Sequence, residues 1–490
     1  CSVMTAWYQA HNLSASDTAI TAHPYLNRQL IAYIGNKRRI LGFLHTVFAR
    51  LGEEERIRRF ADPFAGSGSV ARLARLMGYE VWANDWEEYA RVLNRAYLMN
   101  SPEEVKRLFA PCGGIERVLG ELNSLSGKPP VPFVSRHYAP QETETADYRY
   151  ERLFYTRENA LFVDRVRQRI EEMFPYCDFS PSGERAPAGL GPPSGERAPA
   201  GLGPPADGGS KPQPPDEARK AKELLIALLL YEAATHANTS GVFKACHKGF
   251  GGHSGDALGR ITSAMRLERP VLIDGPPAGE VDAVDASAFL SGRSFDLCYL
   301  DPPYNSHQYG SNYHLLNSIA LWDRPEVDSA RTDDGRLRSK AGIRADWRST
   351  RSDFCYRKTA PRALCEVLEA ADCRFLVLSY NSEGIIPFEE LYELLKSHGE
   401  VEIHTLDYVK YRGGRQSMSR KTHNAEFQLV LRRRESPGRR EPLGRMELPG
   451  RRASPDGREP EKSPAEERGL QGDQGLRRFL LMRRAVSICR

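Results

Sequence analysis

A tetrapeptide near the middle of the chain, DPPY, has a composition that suits the binding of an aromatic amine. It consists of Asp301, Pro302, Pro303 and Tyr304, directly after the apolar run LCYL. The N6 amine of adenine is a weak nucleophile because its lone pair is delocalised into the ring. Asp301 and the Pro302 carbonyl can accept its two hydrogens, and consecutive prolines fix the direction of that carbonyl. Tyr304 offers a flat face on which an extruded base can stack. The alternative is a rigid turn where a strand ends.

A second segment, DPFAGSGSV at residues 62–70, indicates a ligand-binding loop. It begins with Asp62 and Phe64, and two glycines follow, Gly66 and Gly68. Glycines allow the backbone to turn tightly and to approach a ligand without an intervening Cβ. The spacing is not that of the dinucleotide-binding GxGxxG motif, and a plain turn between strand and helix is the alternative.

Asp85 ends an apparent strand, EVWAND, about 20 positions after Gly66, which is the separation expected for an acidic residue that binds ribose. A carboxylate can accept hydrogen bonds from both hydroxyls of a ribose. An exposed aspartate that caps the next helix is the alternative. The glycine loop and Asp85 together predict a ligand that contains a nucleoside.

The order of these motifs resembles that of the DNA adenine (N6) methylases in which the cofactor segments precede DPPY. The segment YIGNKRRILGF is similar to their N-terminal cofactor-binding segment, which adds Tyr33, Gly35 and Lys37 to the expected cofactor-binding residues. The family places the last two near the methionine moiety. VDAVDASAF is similar to the segment whose acidic residue approaches the cofactor adenine, and Asp285 is the match. LSYNSEG, at residues 378–384, resembles the strand and loop beside the target-base pocket.

This resemblance implies a site-specific methyltransferase that moves a methyl group from S-adenosylmethionine to the N6 amine of adenine. The substrate would be double-stranded DNA with a flipped adenine, and a cognate restriction endonuclease would be a candidate partner. Direct transfer needs neither a covalent enzyme intermediate nor a metal. Two alternatives stay open: an RNA methyltransferase that acts on a purine exocyclic amine, and a catalytically inactive nucleic-acid-binding relative.

The secondary-structure pattern predicts how these motifs are brought together. Residues 25–100 and 270–433 alternate strands with helices, which favours an α/β domain with a parallel sheet. We expect a Rossmann-like methyltransferase domain in these two parts, interrupted by a mainly helical region at residues 101–269 that recognises the target. Residues 1–24 are weakly patterned, and residues 434–490 have the composition of a disordered basic tail.

Composition sets broad limits on the 490-residue chain. Its formal net charge of +5 is compatible with a phosphate-bearing partner. Nine scattered cysteines without a CxxC pair indicate reduced thiols and a cytoplasmic protein. The longest apolar run, at residues 224–230, is too short to span a membrane and indicates a buried helix.

Cys246, His247 and His253 fit no usual zinc spacing, so we predict no metal site.

Two further segments carry expectations about order and DNA contact. The sequence PSGERAPAGLGP occurs at residues 181–192 and again at 193–204, with few large apolar side chains. A disordered insertion over residues 180–215 is therefore expected. The basic, glycine-containing stretch at residues 410–421 is a candidate phosphate clamp, and a solvated surface loop is the alternative.

Overall fold

The structure is a computed structural model, and it describes residues 11–12, 18–175, 215–252, 255–275, 278–409 and 423–433. The expected basic clamp at residues 410–421, the tail at 434–490 and His253 lie outside the described residues. So does the repeat insertion, apart from its last residue.

In the described residues, eight strands form one sheet with the order β1-β7-β8-β6-β5-β2-β3-β4. The strands are β1 (His11–Asn12), β2 (Arg59–Asp62), β3 (Glu80–Asn84), β4 (Glu280–Asp282), β5 (Ser294–Leu300), β6 (Asp372–Asn381), β7 (Gly399–Val409) and β8 (His423–Arg433). β8 is antiparallel to both of its neighbours, and the other pairs are parallel. The predicted α/β class is confirmed.

Helices precede, connect and cover these strands. They are α1 (Thr18–Thr21), α2 (Pro24–Asn27), α3 (Leu41–Glu54), α4 (Ser69–Leu76), α5 (Glu88–Leu98), α6 (Pro102–Phe109), α7 (Ile115–Ser124), α8 (Val134–His137), α9 (Arg157–Met173), α10 (Pro215–Thr235), α11 (Leu258–Thr262), α12 (Ala286–Leu290), α13 (Tyr309–Asn312), α14 (His314–Leu321), α15 (Ala360–Ala370) and α16 (Phe388–Lys396). Short 3-10 helices occupy Lys37–Ile40, Ala110–Cys112, Ala345–Thr350 and Asp353–Cys355.

The sheet is buried on both faces, which explains why its central strands are almost continuously apolar. Along β5, Leu297 and Tyr299 enter one hydrophobic cluster, whereas Cys298 and Leu300 enter the other. Side chains from α3 and α10 belong to the first cluster, and side chains from α12, α15 and α16 belong to the second. A strand with alternate residues in two cores is fixed in register, since a slip of one residue would exchange its faces.

Between β3 and β4, the described residues of the 101–269 region form helices and connecting segments, as predicted. Residues 224–230 lie inside α10 and are at most 2% exposed, so the apolar run forms a buried helix. The same helix buries Glu223, whose carboxylate accepts from Arg91 at 3.0 Å and from Arg95 at 2.7 Å. No helix of the described chain is long and apolar enough to cross a membrane.

The sheet reverses its strand order between β2 and β5. From this junction the chain proceeds through β3 and β4 in one direction and through β6 in the other. Open α/β sheets bind ligands beyond the carboxyl ends of the strands at such a switch point. Asp62 is the last residue of β2, and Asp301 directly follows β5, so both motifs lie at this crevice.

Candidate active site

One pocket at this edge of the sheet brings together twelve of the thirteen predicted site residues. They are Tyr33, Gly35, Lys37, Asp62, Phe64, Gly66, Asp85, Asp285, Asp301, Pro302, Pro303 and Tyr304. Gly68 is the one that does not line it. Gly68 is the N-cap residue of α4 and has a φ of +79°. A Cβ on Gly68 would lie 2.5 Å from Asn94 Oδ1. Gly68 therefore allows helix packing beneath the loop.

Gly66 contacts three side chains from separate parts of the chain, Tyr33, Asp85 and Asn94. Its φ is +50°, in the left-handed region that favours glycine, and a Cβ would lie 2.7 Å from the ring of Tyr33. Its N–H donates to Asp85 Oδ2 at 2.8 Å, and its carbonyl accepts from Asn94 Nδ2 at 3.1 Å. The absent side chain thus leaves room for Tyr33 to cover the loop.

Asp85 is a partly buried acceptor that can accept further hydrogen bonds. Besides the bond from Gly66, its Oδ1 accepts from the N–H of Glu87 at 2.9 Å. Burial raises the pKa of Asp85 to about 6, although the bonds from the two backbone N–H groups lower it. Each carboxylate oxygen has about two lone-pair directions, so a second donor can approach each.

Asp285 and Asn84 shape the next part of the pocket. Asp285 caps the N-terminus of α12, where its Oδ1 accepts from the N–H groups of Ser287 at 2.9 Å and Ala288 at 3.3 Å. Asn84 ends β3 and donates to the carbonyls of Pro63 at 3.2 Å and Val284 at 3.0 Å. Asn84 therefore joins the loops that follow β2 and β4.

The carboxylate of the DPPY segment, Asp301, is paired with a lysine. Lys37 is 3% exposed, and its Nζ lies 3.1 Å from Asp301 Oδ1 and 3.5 Å from Glu426 Oε1. Burial raises the pKa of Asp301 to about 6; the charge of Lys37 lowers it and that of Glu426 raises it. Lys37 therefore occupies one side of the buried Oδ1. Because Asp301 also lines the pocket, its carboxylate keeps lone-pair directions that can accept from a ligand.

Aromatic side chains fix the segment that carries Lys37. Tyr33 stacks on Tyr313 at a ring-centroid distance of 4.9 Å and on Tyr309 at 5.3 Å. The N–H of Ile34 donates to the Tyr313 hydroxyl at 2.8 Å, and the Tyr309 hydroxyl donates to the Ile34 carbonyl at 3.2 Å. Helices α13 and α14, which follow DPPY, thus hold the N-terminal motif in place.

Tyr304 lies between the lysine and β6. Lys37 Nζ is 5.1 Å from its ring centroid, a cation–π distance. Tyr380, from LSYNSEG, packs edge-on against Tyr304 with centroids 5.8 Å apart. The Tyr304 carbonyl accepts from the N–H of Ile385 at 3.0 Å. The structure therefore places LSYNSEG beside the DPPY turn.

The chemistry of the pocket suits a positively charged nucleoside cofactor. Asp62, Asp85, Asp285 and Asp301 line it, with Lys37 as the lysine among its lining residues. Carboxylate acceptors outnumber cationic groups among the side chains that line the pocket. The pocket therefore favours a ligand that carries its own positive charge and its own hydroxyl and amine donors. A sulfonium nucleoside satisfies both conditions.

Sequence reasoning missed several residues of the pocket. Glu426 supports Lys37 from β8, far along the chain, and no local motif marks it. Glu87 lines the pocket and accepts a hydrogen bond from Asn317 Nδ2 at 2.5 Å. Burial raises the pKa of Glu87 to about 7. Its position two residues after Asp85 was a usable signal. Thr350, Ser352 and Phe354 also line the pocket, from a segment that had no expected role.

The strand order and the acidic crevice define a Rossmann-like methyltransferase. A family model of the D12 class N6 adenine-specific DNA methyltransferases matches residues 33–118 and 269–394. Over these two segments the chain is similar to this family. Adenine-specific DNA methylation, expected from the motifs, is confirmed by this match and by the relatives of the chain.

Curated relatives agree over most of the chain. The chain is 27% identical over 401 residues to the Type II methyltransferase M.NlaIII of Neisseria lactamica. This match covers 81% of the chain and 97% of the relative. M.CviAII of Paramecium bursaria Chlorella virus 1 is 25% identical over 78% of this chain and 93% of its own length. M.FokI of Planomicrobium okeanokoites is 25% identical over 81% of this chain but 52% of its own length. No solved structure matches the chain significantly.

Proposed function

We propose that the chain transfers the methyl group of S-adenosylmethionine to N6 of an adenine flipped out of double-stranded DNA, with Asp301, Pro302 and Tyr304 at the reacting end of the pocket. The observation that carries this proposal is the pairing of Asp301 with a buried lysine at the switch point of the sheet. An ion pair of this kind keeps a largely buried carboxylate available as a hydrogen-bond acceptor near neutral pH.

At the target amine, the carboxylate of Asp301 and the carbonyl of Pro302 accept the two N–H hydrogens. This arrangement favours a pyramidal nitrogen, so that its lone pair can point toward the methyl donor. Pro303 restricts the turn, and Tyr304 stacks on the flipped base. The rate enhancement comes from orientation and from the positioned acceptors.

At the cofactor, S-adenosylmethionine supplies an electrophilic methyl group on a positively charged sulfur. Asp85 accepts from its ribose hydroxyls, and Asp285 lies toward its adenine. Tyr33 and Phe64 provide apolar walls, and the absent side chains of Gly35 and Gly66 leave room for the tyrosines that line the pocket. Lys37 acts as a positioning residue for Asp301 and neighbours the methionine moiety.

The proposal extends to the setting of the enzyme. Residues 101–269 would recognise the DNA sequence around the adenine, as an inserted region of the methyltransferase domain. Two relatives are named modification methylases, LlaI and StsI, which favours a role beside a cognate restriction endonuclease in the cytoplasm.

The test is transfer of tritiated methyl groups from S-adenosylmethionine to unmethylated bacteriophage DNA and, in parallel, to ribosomal RNA. After digestion to nucleosides, we expect the label in N6-methyldeoxyadenosine alone. Label in RNA, or in a methylated cytosine, would refute the proposal. The Asp301→Asn variant is the control, because it keeps the side-chain volume and removes the charge.

A further inference from the structure

We infer that residues 345–358, here called the rim segment, bind the phosphate backbone of the DNA beside the flipped adenine. This inference rests on the proposed function and adds to it the surface that holds the duplex. The rim segment lies between the DPPY turn and α15, and it includes two 3-10 helices.

The rim segment forms part of the pocket wall. Its side chains Thr350, Ser352 and Phe354 line the pocket together with the DPPY turn. Two hydrogen bonds join it to Gln308, one from Gln308 Nε2 to the Ser352 carbonyl at 3.2 Å and one from the Ser352 N–H to Gln308 Oε1 at 2.9 Å. The Phe354 ring packs edge-on against Phe64, with centroids 5.3 Å apart. The segment is thus attached both to the residues that follow the DPPY turn and to the glycine loop.

Its outward side chains are cationic. Arg348, Arg351, Arg357 and Lys358 are exposed, and none of them forms an ion pair with a carboxylate of the described residues. The two acidic residues of the segment are already engaged, since Asp346 pairs with Arg344 at 2.6 Å and Asp353 pairs with Arg362 at 3.3 Å. A positive surface without local counter-charges is what a polyanion requires.

Aromatic side chains accompany these cations. The guanidinium of Arg351 lies 4.9 Å from the ring centroid of Trp347, and that of Arg348 lies 5.9 Å from it. Tyr356 is 43% exposed, and Trp86, which lines the pocket, is 39% exposed. Guanidinium groups held against a ring lose less conformational freedom when they bind phosphate. Cations and exposed rings around a pocket fit a nucleic acid rather than a small anion.

The experiment compares two triple variants of the full chain. R348A/R351A/R357A removes three cations from the rim segment. R56A/R58A/K396A removes three exposed cations near the amino ends of β2 and β7, at the opposite edge of the sheet. Binding to a 30-base-pair duplex of random sequence is measured by fluorescence anisotropy between 50 and 300 mM salt, because phosphate contacts do not depend on sequence.

We expect the rim variant to lose about 0.9 units of slope, in log Kd against log salt, for each phosphate contact removed. Its loss of affinity should be about tenfold or more at 150 mM salt, with the control variant close to wild type. R348K/R351K/R357K should restore the slope, because it keeps the charges. Thermal unfolding and S-adenosylmethionine binding monitor folding. Equal slopes for the rim and control variants, or a wild type that does not bind duplex, would overturn the inference.

Failure of the inference can be separated from failure of the proposed function. Methyl transfer by wild type to bacteriophage DNA is measured in the same preparations. If wild type methylates adenine and the slopes coincide, the rim segment is not the phosphate site. If wild type binds duplex through the rim segment but transfers no methyl group, the proposed function fails and the binding surface stands. For the rim variant, KM for DNA should rise while kcat is kept.

Discussion

Two neighbouring strands of the sheet end in the same dipeptide, and their aspartates have different surroundings. In Asp62-Pro63 the aspartate is the last residue of β2, and Asp301-Pro302 directly follows β5. Burial raises the pKa of Asp62 well above its ordinary value, and the charge of Asp301 raises it further. Its Oδ1 accepts a single long bond from the N–H of Phe64 at 3.3 Å. Asp62 therefore ionises less readily than an ordinary aspartate.

Asp301 differs because Lys37 lies beside it. The lysine offsets part of the burial cost, so that the pKa of Asp301 reaches only about 6 and the carboxylate is charged above that pH. The motif letters are thus not sufficient to assign the chemistry. In the proposed mechanism, the lysine beside Asp301 distinguishes the Asp-Pro turn that accepts hydrogens from the target amine from the turn that shapes a loop.

The largest effect is expected from Asp301→Ala. Loss of the acceptor should lower kcat for DNA methylation by about 10³-fold or more, since the lost interaction belongs to the transition state. The affinity for S-adenosylmethionine, measured by calorimetry, should stay within about threefold, because Asp301 faces the amine. Near-normal kcat would remove the basis for contrasting the two turns.

A smaller effect is expected from Lys37→Met, which keeps the length of the side chain and removes its charge. Without the ammonium group the pKa of Asp301 rises above 6, so less of it is ionised at pH 7. The methylation rate at pH 7 should fall about tenfold and recover in part as the pH is raised. The pH–rate profile of the variant is the measurement. An unchanged profile would show that Lys37 does not set the charge of Asp301.

Asp85→Ala should act on the cofactor rather than on the amine. A pocket that loses an acceptor for ribose hydroxyls should bind S-adenosylmethionine about 1–3 kcal/mol more weakly. The Kd for S-adenosylmethionine would be measured by calorimetry for the variant and for wild type, both with the free enzyme and with its complex with methylated product DNA. If cofactor affinity is unchanged, Asp85 serves only to hold the Gly66 loop.

The smallest effect is expected from Asp62→Asn. Because burial and the charge of Asp301 raise the pKa of Asp62, an amide of the same shape is a close substitute for its carboxyl group. Both kcat and the affinity for S-adenosylmethionine should remain within about threefold of wild type, by the usual size of such isosteric changes. Asp301→Asn, measured alongside, should be almost inactive. Equal losses in the two asparagine variants would abolish the distinction between the turns.

Much of the fold and site could be predicted from the sequence because the informative residues lie at strand ends. Alternating strand and helix patterns predict a parallel sheet, and parallel strands present their carboxyl ends at one edge. Asp62, Asp85 and Asp301 had to meet there once the strands were identified. The convergence of the twelve residues on one pocket follows from the topology of the sheet, which the local strand and helix patterns indicate.

The rest could not be read from local patterns. Lys37 and Glu426 are 389 positions apart and meet because β8 inserts antiparallel between β6 and β7. The pairing of that strand places Glu426 opposite Asn381, and no turn motif encodes this register. Gly66 was expected to clear space for a ligand, yet the group nearest to its missing Cβ is the ring of Tyr33. Such contacts depend on packing between distant segments.

The most direct test of the account is the pH dependence of kcat/KM for methyl transfer by wild type, because this rate constant reports the groups of the free enzyme. Asp301 must be ionised to accept hydrogens from the amine, and its pKa is about 6. The account therefore predicts a rate constant that falls about tenfold per pH unit below pH 6 and levels off above it. A rate constant that stays flat from pH 5 to pH 8 would contradict the assignment of Asp301 as the charged acceptor.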